Sequence, residues 1–145
     1  MNPIQIVRDM IFVHPWHPLT VHFPIALTAT ALLFVVLALW RKSQWLEHAA
    51  YFTLALVVLG TIVAGLTGLR DNLFRYDGGA PFASDKVFLA GTLWVVSLVT
   101  TVSRVTRRDM LWQPNTMVLY VAGFVACFGL AATLGLLGSI ILYGV

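Results

Sequence analysis

Three of the four histidines of the chain, His14, His17 and His22, lie in one short segment, residues 14–24 (HPWHPLTVHFP). A neutral imidazole can bind a metal ion or a heme iron, and it can accept a proton near neutral pH. These three histidines are therefore candidate ligands of a heme or a pigment. The alternative interpretation is structural, with an interfacial histidine that hydrogen-bonds a neighbouring loop.

The prolines of the same segment predict how it enters a helix. Pro18 suits the first turn, where its missing N–H costs nothing. Pro24 falls inside the predicted helix, where it removes a backbone donor and displaces the carbonyl of Thr20. The sequence thus predicts a kink with a free carbonyl beside His22. His22 should lie about one turn into the membrane and be the least solvated histidine.

Other kinds of reactive site have no signature in the chain. The sequence contains no nucleophile beside a base, no phosphate-binding loop and no carboxylate pair, so we expect no enzyme activity. The predicted helices carry no ionisable residue near their middles, which disfavours a pump, a channel or a coupled transporter. The fourth histidine, His48 beside Glu47, is interpreted as an interfacial residue. The single cysteine, Cys127, excludes a disulfide framework and a cysteine-based zinc site.

Composition indicates the class of protein to which these residues belong. Of the 145 residues, 59% are apolar and 10% are charged, whereas soluble domains contain about 25% charged residues. The mean hydropathy is +0.87, which excludes a soluble enzyme, a disordered tail and a coiled coil. The nine basic residues flank apolar segments, so they indicate membrane-adjacent loops and not nucleic-acid binding.

Four apolar segments, at about residues 19–40, 46–69, 87–105 and 117–144, are long enough to cross a bilayer as helices. Their short connections predict antiparallel neighbours. The predicted fold is a single all-α domain, residues 1–145, forming a four-transmembrane-helix antiparallel bundle. The first thirteen or so residues have apolar side chains at roughly helical spacing. They predict a short interfacial helix or, alternatively, a tail packed on the bundle.

The distribution of Lys and Arg predicts the orientation in the membrane. Five basic residues lie in the first and third connections: Arg41, Lys42, Arg104, Arg107 and Arg108. Four lie in the N-terminal tail and the longer second connection: Arg8, Arg70, Arg75 and Lys86. The positive-inside rule therefore places the first and third connections in the cytoplasm and both termini outside, most simply across a bacterial inner membrane.

Two helices carry small residues at intervals of four, which allow helices to approach closely in lipid. The second helix contains Gly60, Ala64 and Gly68. The fourth contains Gly123, Cys127, Ala131, Gly135 and Ser139. These stripes predict helix packing within the bundle; the alternative is a face for a partner helix or a flat cofactor ring.

The run of residues 17–27 (HPLTVHFPIAL) resembles the opening motif of a family of small predicted membrane proteins, domain of unknown function 2231. The layout is also similar: four apolar helices, a Gly-rich end to the second (residues 65–68, GLTG) and a Gly-rich last helix. The similarity covers most of the chain, although only the first motif is specific. It implies binding of heme b, with His17 and His22 as the candidate ligand set.

The chain departs from the family pattern in its histidines. Members commonly carry one at the start of the third helix, where this chain has residues 83–87 (ASDKV), and helices three and four contain none. His22 and His48 lie about 25 Å apart along the membrane normal, too far to hold one heme. His17 and His22 cannot face one heme from a single helix. Two-histidine ligation requires His14 or His17 to fold over towards His22, whereas a pigment needs only His22.

The predicted function is a non-catalytic integral membrane subunit, an accessory or cofactor-holding component of a membrane redox or energy-converting assembly. Its predicted partners are the lipid bilayer and other membrane subunits or a second copy. The alternative is a heme b-binding electron carrier that uses His22 with His17 or His14. A small transporter is disfavoured because no polar site is predicted at mid-depth.

Overall fold

A computed structural model describes residues 2–143, except for the side chains of residues 10–12 and 141–143. Over this range the chain forms five α-helices and no strand. The helices are α1 (Pro3–Phe12), α2 (His17–Arg41), α3 (Gln44–Tyr76), α4 (Ala83–Thr106) and α5 (Pro114–Tyr143). Helices α2 to α5 are long and apolar enough to cross a membrane. The predicted all-helical fold with four membrane-spanning helices is confirmed.

Helix α3 is the longest, with 33 residues. At 1.5 Å per residue it measures about 50 Å, more than the hydrocarbon thickness of a bilayer, so it must tilt or project beyond it. It extends past the predicted end near residue 69, through Arg70 and Asp71, to Tyr76. This extension has a physical reason: Asp71 is buried against α2, as described below.

Tight connections hold α2 and α3 side by side. Lys42 adopts a left-handed conformation with φ 51° and ends α2. Ser43 then caps α3, because its Oγ accepts a hydrogen bond from the Leu46 N–H at 3.4 Å. At its other end, α3 stops at Asp77 (φ 48°), which is followed by Gly78 with φ 81°. The left-handed Gly78 suits a turn, because glycine has no Cβ to clash there.

The four long helices close into a ring in the order α2, α3, α4, α5, and α2 and α3 share the largest contact. All neighbours are antiparallel. The long-loop end of the bundle contains the start of α2, the connection 77–82 and the end of α5. The short-loop end contains the connections 42–43 and 107–113. Buried side chains from all four helices form the core: Ala31, Val35, Ala38, Ala50, Leu54, Val57, Leu93, Tyr120, Phe124, Cys127 and Ala131.

Helix α1 precedes the bundle. Residues 2–9 are exposed, including the apolar Ile4 and Val7. The predicted alternative of a tail packed on the bundle therefore does not hold for these residues. Location in the membrane interface stays a prediction.

Most residues of the small-residue stripes lie at helix contacts. A Cβ at Gly60 would be 3.2 Å from Phe23 of α2, and one at Gly135 would be 3.3 Å from Ile25 of the same helix. A Cβ at Gly123 would meet the side chain of Thr100 on α4. Ala64, Cys127 and Ala131 are buried, while Ser139 is exposed and donates to the Leu136 carbonyl.

Gly123→Ala should destabilise the bundle, because its new Cβ would lie 2.9 Å from Thr100 Cγ2. The Thr100 hydroxyl is already bonded to the Val96 carbonyl at 2.7 Å, which restrains its rotation. We expect a loss of about 1–3 kcal/mol, the usual range for overpacking. Unfolding in mixed micelles, followed by circular dichroism, measures it.

Gly129→Ala is the matched control, because no atom lies within 4 Å of a Cβ at Gly129 on the same helix. Its unfolding midpoint should equal or slightly exceed that of the parent protein. Equal losses for the two variants would contradict close packing of α4 and α5 at Gly123.

Candidate functional site

The first residue of α2, His17, is held by a carboxylate from the neighbouring helix. Its backbone N–H donates to Asp71 Oδ2 at 2.8 Å, and Asp71 is 6% exposed. The first N–H groups of a helix lack partners in their own helix and carry partial positive charge, so a carboxylate there is stabilising. Asp71 of α3 therefore caps α2 across the helix interface.

Arg70 continues this polar contact to the surface. Its Nη1 donates to Asp71 Oδ1 at 2.8 Å. Its guanidinium lies over the rings of Trp16 and Phe74, 5.7 and 5.5 Å from their centroids. From the sequence, Arg70 belongs to the second connection, just after a membrane segment predicted to end near residue 69. The structure instead makes Arg70 and Asp71 the clamp that joins the starting turn of α2 to the last turns of α3.

The His17 ring is seated against α3. Its Nδ1 lies 2.9 Å from the carbonyl oxygen of Ala64, and because a carbonyl can only accept, Nδ1 carries the proton. A Cβ at Gly68 would be 2.9 Å from His17 Nδ1. The absence of a side chain at Gly68 thus makes room for the imidazole.

Two further contacts of the motif extend this interface towards the membrane. The hydroxyls of Thr20 and Thr67 are 2.7 Å apart, and the buried Pro24 lies beside Gly60. On α3 the contacting positions are spaced by three or four residues along one face: Gly60, Ala64, Thr67, Gly68 and Asp71. Continuing the small-residue stripe by three residues would have found Asp71 from the sequence.

His22 has different surroundings. It is exposed, and its Nδ1 contacts the carbonyl oxygen of Pro18, one turn earlier in α2. The carbonyl that the ring contacts is that of Pro18 and not the Thr20 carbonyl predicted to lie beside it, because a histidine in a helix reaches back four residues to its own previous turn. Helix α2 is continuous through Pro24. His17, and not His22, is the least exposed of the four histidines.

The candidate ligands are not brought together around one space. His17 and His22 are five residues apart, which is about 140° around a helix, and they face α3 and the outside, respectively. His14 precedes α2 and is exposed, with its backbone N–H bonded to the Asp9 carbonyl at 3.0 Å. Within residues 2–143, apart from the side chains of residues 10–12 and 141–143, no three His, Cys, Asp or Glu residues gather into a metal site.

The ring geometry of His17 and His22 nevertheless fits that of an axial ligand. Histidines that bind metals usually donate the other ring N–H to a carbonyl or carboxylate, which fixes the tautomer. Both His17 and His22 have Nδ1 at a backbone carbonyl, which leaves Nε2 as the atom with the free lone pair. His22 is the one whose side chain is exposed, so it fits a single-ligand site on the outer face of the bundle.

A second polar cluster, which was not predicted from the sequence, lies at the short-loop end. Arg104 of α4 binds Glu47 of α3 with two hydrogen bonds, Nε to Oε1 at 2.7 Å and Nη2 to Oε2 at 2.9 Å. Tyr120 of α5 donates to the same carboxylate at 3.3 Å. All three residues are buried, with Glu47 1% exposed. The cluster ties three helices together near their ends.

From the sequence, Arg104 was interpreted as a residue of the third connection and Glu47 as the neighbour of an interfacial histidine. His48 is indeed exposed, with its Nδ1 2.7 Å from the Gln44 carbonyl. The sequence did contain a signal for this pair. Glu47 lies in the first turn of α3 and Arg104 in the last turn of α4, so two antiparallel helices carry opposite charges at the same end of the bundle. Recognising it requires knowing which faces of α3 and α4 meet.

Four apolar helices, tied by one polar cluster at each end, define a small integral membrane protein of the four-helix bundle class. The chain belongs to the DUF2231 family of predicted membrane proteins, whose model matches residues 13–144. The match begins just before His14, so it includes the histidine segment and the bundle and leaves α1 outside. The chain matches no curated protein and no solved structure.

Proposed function

We propose that the protein is a non-catalytic integral membrane subunit that presents His22 to a cofactor or pigment of a membrane redox or energy-converting assembly. The observation that carries this proposal is the hydrogen bonding and exposure of the His22 ring. Its Nδ1 is occupied by the Pro18 carbonyl, while the side chain stands exposed on the outside of α2. An imidazole held in this way offers Nε2 as an axial ligand.

The surface around His22 supports this role. Leu19 and Ala26, one turn before and one turn after it on the same face of α2, are also exposed. They border the imidazole with apolar surface, and Ala26 is small enough to let a flat ring approach. A bound heme or pigment would supply the redox or light-absorbing chemistry, while this chain would bind and orient it.

The rest of the histidine segment acts as its support. His17, Thr20 and Pro24 pack on α3, so the first turns of α2 are anchored and the opposite face is held in one orientation. Under this proposal, His17 is a positioning residue.

The alternative function is a heme b-binding electron carrier with two ligands from the segment. For this alternative, His14 is a better second ligand than His17, because His14 is exposed and lies outside α2. Ligation by His14 and His22 requires residues 13–16 to bring the His14 imidazole over the face of α2 that carries His22. His17 would first have to leave Ala64 and Gly68.

The positive-inside count supports placing the long-loop end, and with it His22, on the outer side of a bacterial inner membrane. Both chain termini then lie outside. The partners of this proposal are surrounding lipid and other membrane subunits or a second copy of the chain.

The test is an absorption spectrum of the full chain purified in mild detergent, first oxidised and then reduced with dithionite. We expect a cofactor band that His22→Ala abolishes while the helical circular dichroism is kept. His48→Ala is the matched control, because His48 is also exposed with Nδ1 at a carbonyl four residues earlier. It should keep the band.

Other outcomes separate the two functions. Sharp heme bands that need both His22 and His14 would establish the electron carrier. Turnover of a quinol by the purified chain alone would contradict a non-catalytic subunit. A featureless spectrum for protein co-purified with its larger partners would contradict a cofactor at His22 and restrict the role to assembly.

A further inference from the structure

A cleft of about 230 Å³ opens at the short-loop end between α3 and α4, away from the histidine segment. Its lining consists of His48 and Tyr51 from α3, and Arg104, Val105 and Arg108 from the end of α4 and the following connection. Two guanidinium groups and an imidazole therefore surround one small space. The proposed role of His22 at the other end makes no use of it.

Arg104 is fixed in place and still has donors available. Glu47 occupies its Nε and Nη2, and Nη2 also lies 3.4 Å from Nε2 of His48. The Tyr51 ring lies 5.4 Å from its Cζ. Its Nη1 makes no hydrogen bond to any described residue. A guanidinium held by a carboxylate and an aromatic ring is pre-organised to bind a second oxyanion with its remaining N–H groups.

Arg108 supplies the net positive charge of the cleft. Glu47 compensates Arg104, whereas no carboxylate in the described part of the chain forms an ion pair with Arg108. Arg108 is exposed and follows the end of α4. The cleft thus combines one anchored arginine with one uncompensated arginine, an arrangement that favours a phosphate.

We propose that this cleft binds the phosphate of an anionic lipid headgroup. Lipid headgroups and inorganic phosphate both present a phosphate group to the cleft. The residues beside the cleft favour the lipid. Val105 and Val102, one turn apart on α4, are exposed beside the cleft and provide an apolar track for an acyl chain. The exposed Trp40 and Trp45 mark the same end as the interfacial region.

Basic pockets between membrane helices on the cytoplasmic side recognise anionic headgroups through the same combination of charge and position. The short-loop end is also the end with more basic residues, so the charge of the cleft and that of the leaflet are complementary.

The test measures lipid retention by the full chain in mild detergent, using native mass spectrometry. Dioleoyl phosphatidylglycerol, dioleoyl phosphatidylcholine and inorganic phosphate are the three probes. We expect phosphatidylglycerol to be retained over phosphatidylcholine, and Arg108→Gln to weaken that retention about tenfold, the loss typical of one hydrogen-bonded charge. Arg108 is exposed and lies outside the helices, so its substitution should leave the bundle folded.

Arg107→Gln is the matched control, because Arg107 is the adjacent exposed cation and does not line the cleft. It should retain phosphatidylglycerol within about twofold, as expected for a screened surface charge. Equal losses for the two variants would overturn a specific site and indicate general surface charge. Retention of phosphatidylcholine equal to that of phosphatidylglycerol would overturn it too. Binding of inorganic phosphate with no preference for the lipid would assign the cleft to a soluble anion.

Discussion

Glu47→Leu is expected to be the most destabilising single substitution in the bundle, because it leaves the Arg104 guanidinium buried without its counter-charge. Arg104 is 7% exposed and makes two hydrogen bonds to this carboxylate. Removing one partner of a buried ion pair costs about 3–5 kcal/mol. The measurement is the free energy of unfolding in mixed micelles, followed by circular dichroism or by tryptophan fluorescence.

The double variant Glu47→Leu/Arg104→Met separates the ion pair from its replacement by apolar packing. It should recover most of the stability, since replacing both partners of a buried pair is often close to neutral. Asp109→Ala, which removes an exposed carboxylate at the same end, should change stability by less than about 0.5 kcal/mol. A Glu47→Leu variant as stable as Asp109→Ala would show that the pair does not hold the helices.

Asp71→Ala is expected to release the starting turn of α2 at the other end of the bundle. The substitution removes the acceptor of the His17 N–H and the carboxylate that contacts Arg70. Loss of a helix cap in a partly buried position costs up to about 2 kcal/mol. Hydrogen–deuterium exchange of residues 17–22, together with global unfolding, measures both the local and the overall effect.

Asp71→Asn provides the comparison, because its amide oxygen can still accept from the His17 N–H. Its loss of unfolding free energy should be less than half of the loss caused by Asp71→Ala. Asp9→Ala, an exposed carboxylate on α1, should leave exchange in residues 17–22 unchanged. If Asp71→Ala exchanged no faster than the parent protein in this segment, the capping role of Asp71 would be wrong.

These two clusters have a common physical role. Between helices in lipid, burial of apolar surface provides little driving force, because the acyl chains are as apolar as the side chains. Close contacts at Gly60 and Gly123 allow the helices to approach. The directional polar contacts of Asp71 and of the Glu47–Arg104 pair then select which helix faces meet.

The candidate site was only partly predictable from the sequence. The spacing and type of His14, His17 and His22 identified the segment, because an unusual cluster of imidazoles and prolines can be recognised locally. The sequence placed His22 as the most enclosed of them, whereas the structure gives that place to His17. The rotation of α2 about its axis decides this, and it depends on the fit of His17 into the space above Gly68.

The sequence by itself determined the membrane class, the four spanning helices and the family motif, because hydropathy and segment length are local properties. Only the tertiary structure brought Arg104 to Glu47, 57 residues away in the chain, and Asp71 to the first turn of α2. The spanning helices are apolar on nearly every side, so their sequences carry little periodic information about which face is turned inward. That choice is made by small residues and a few polar groups, and it appears only when the helices are packed together.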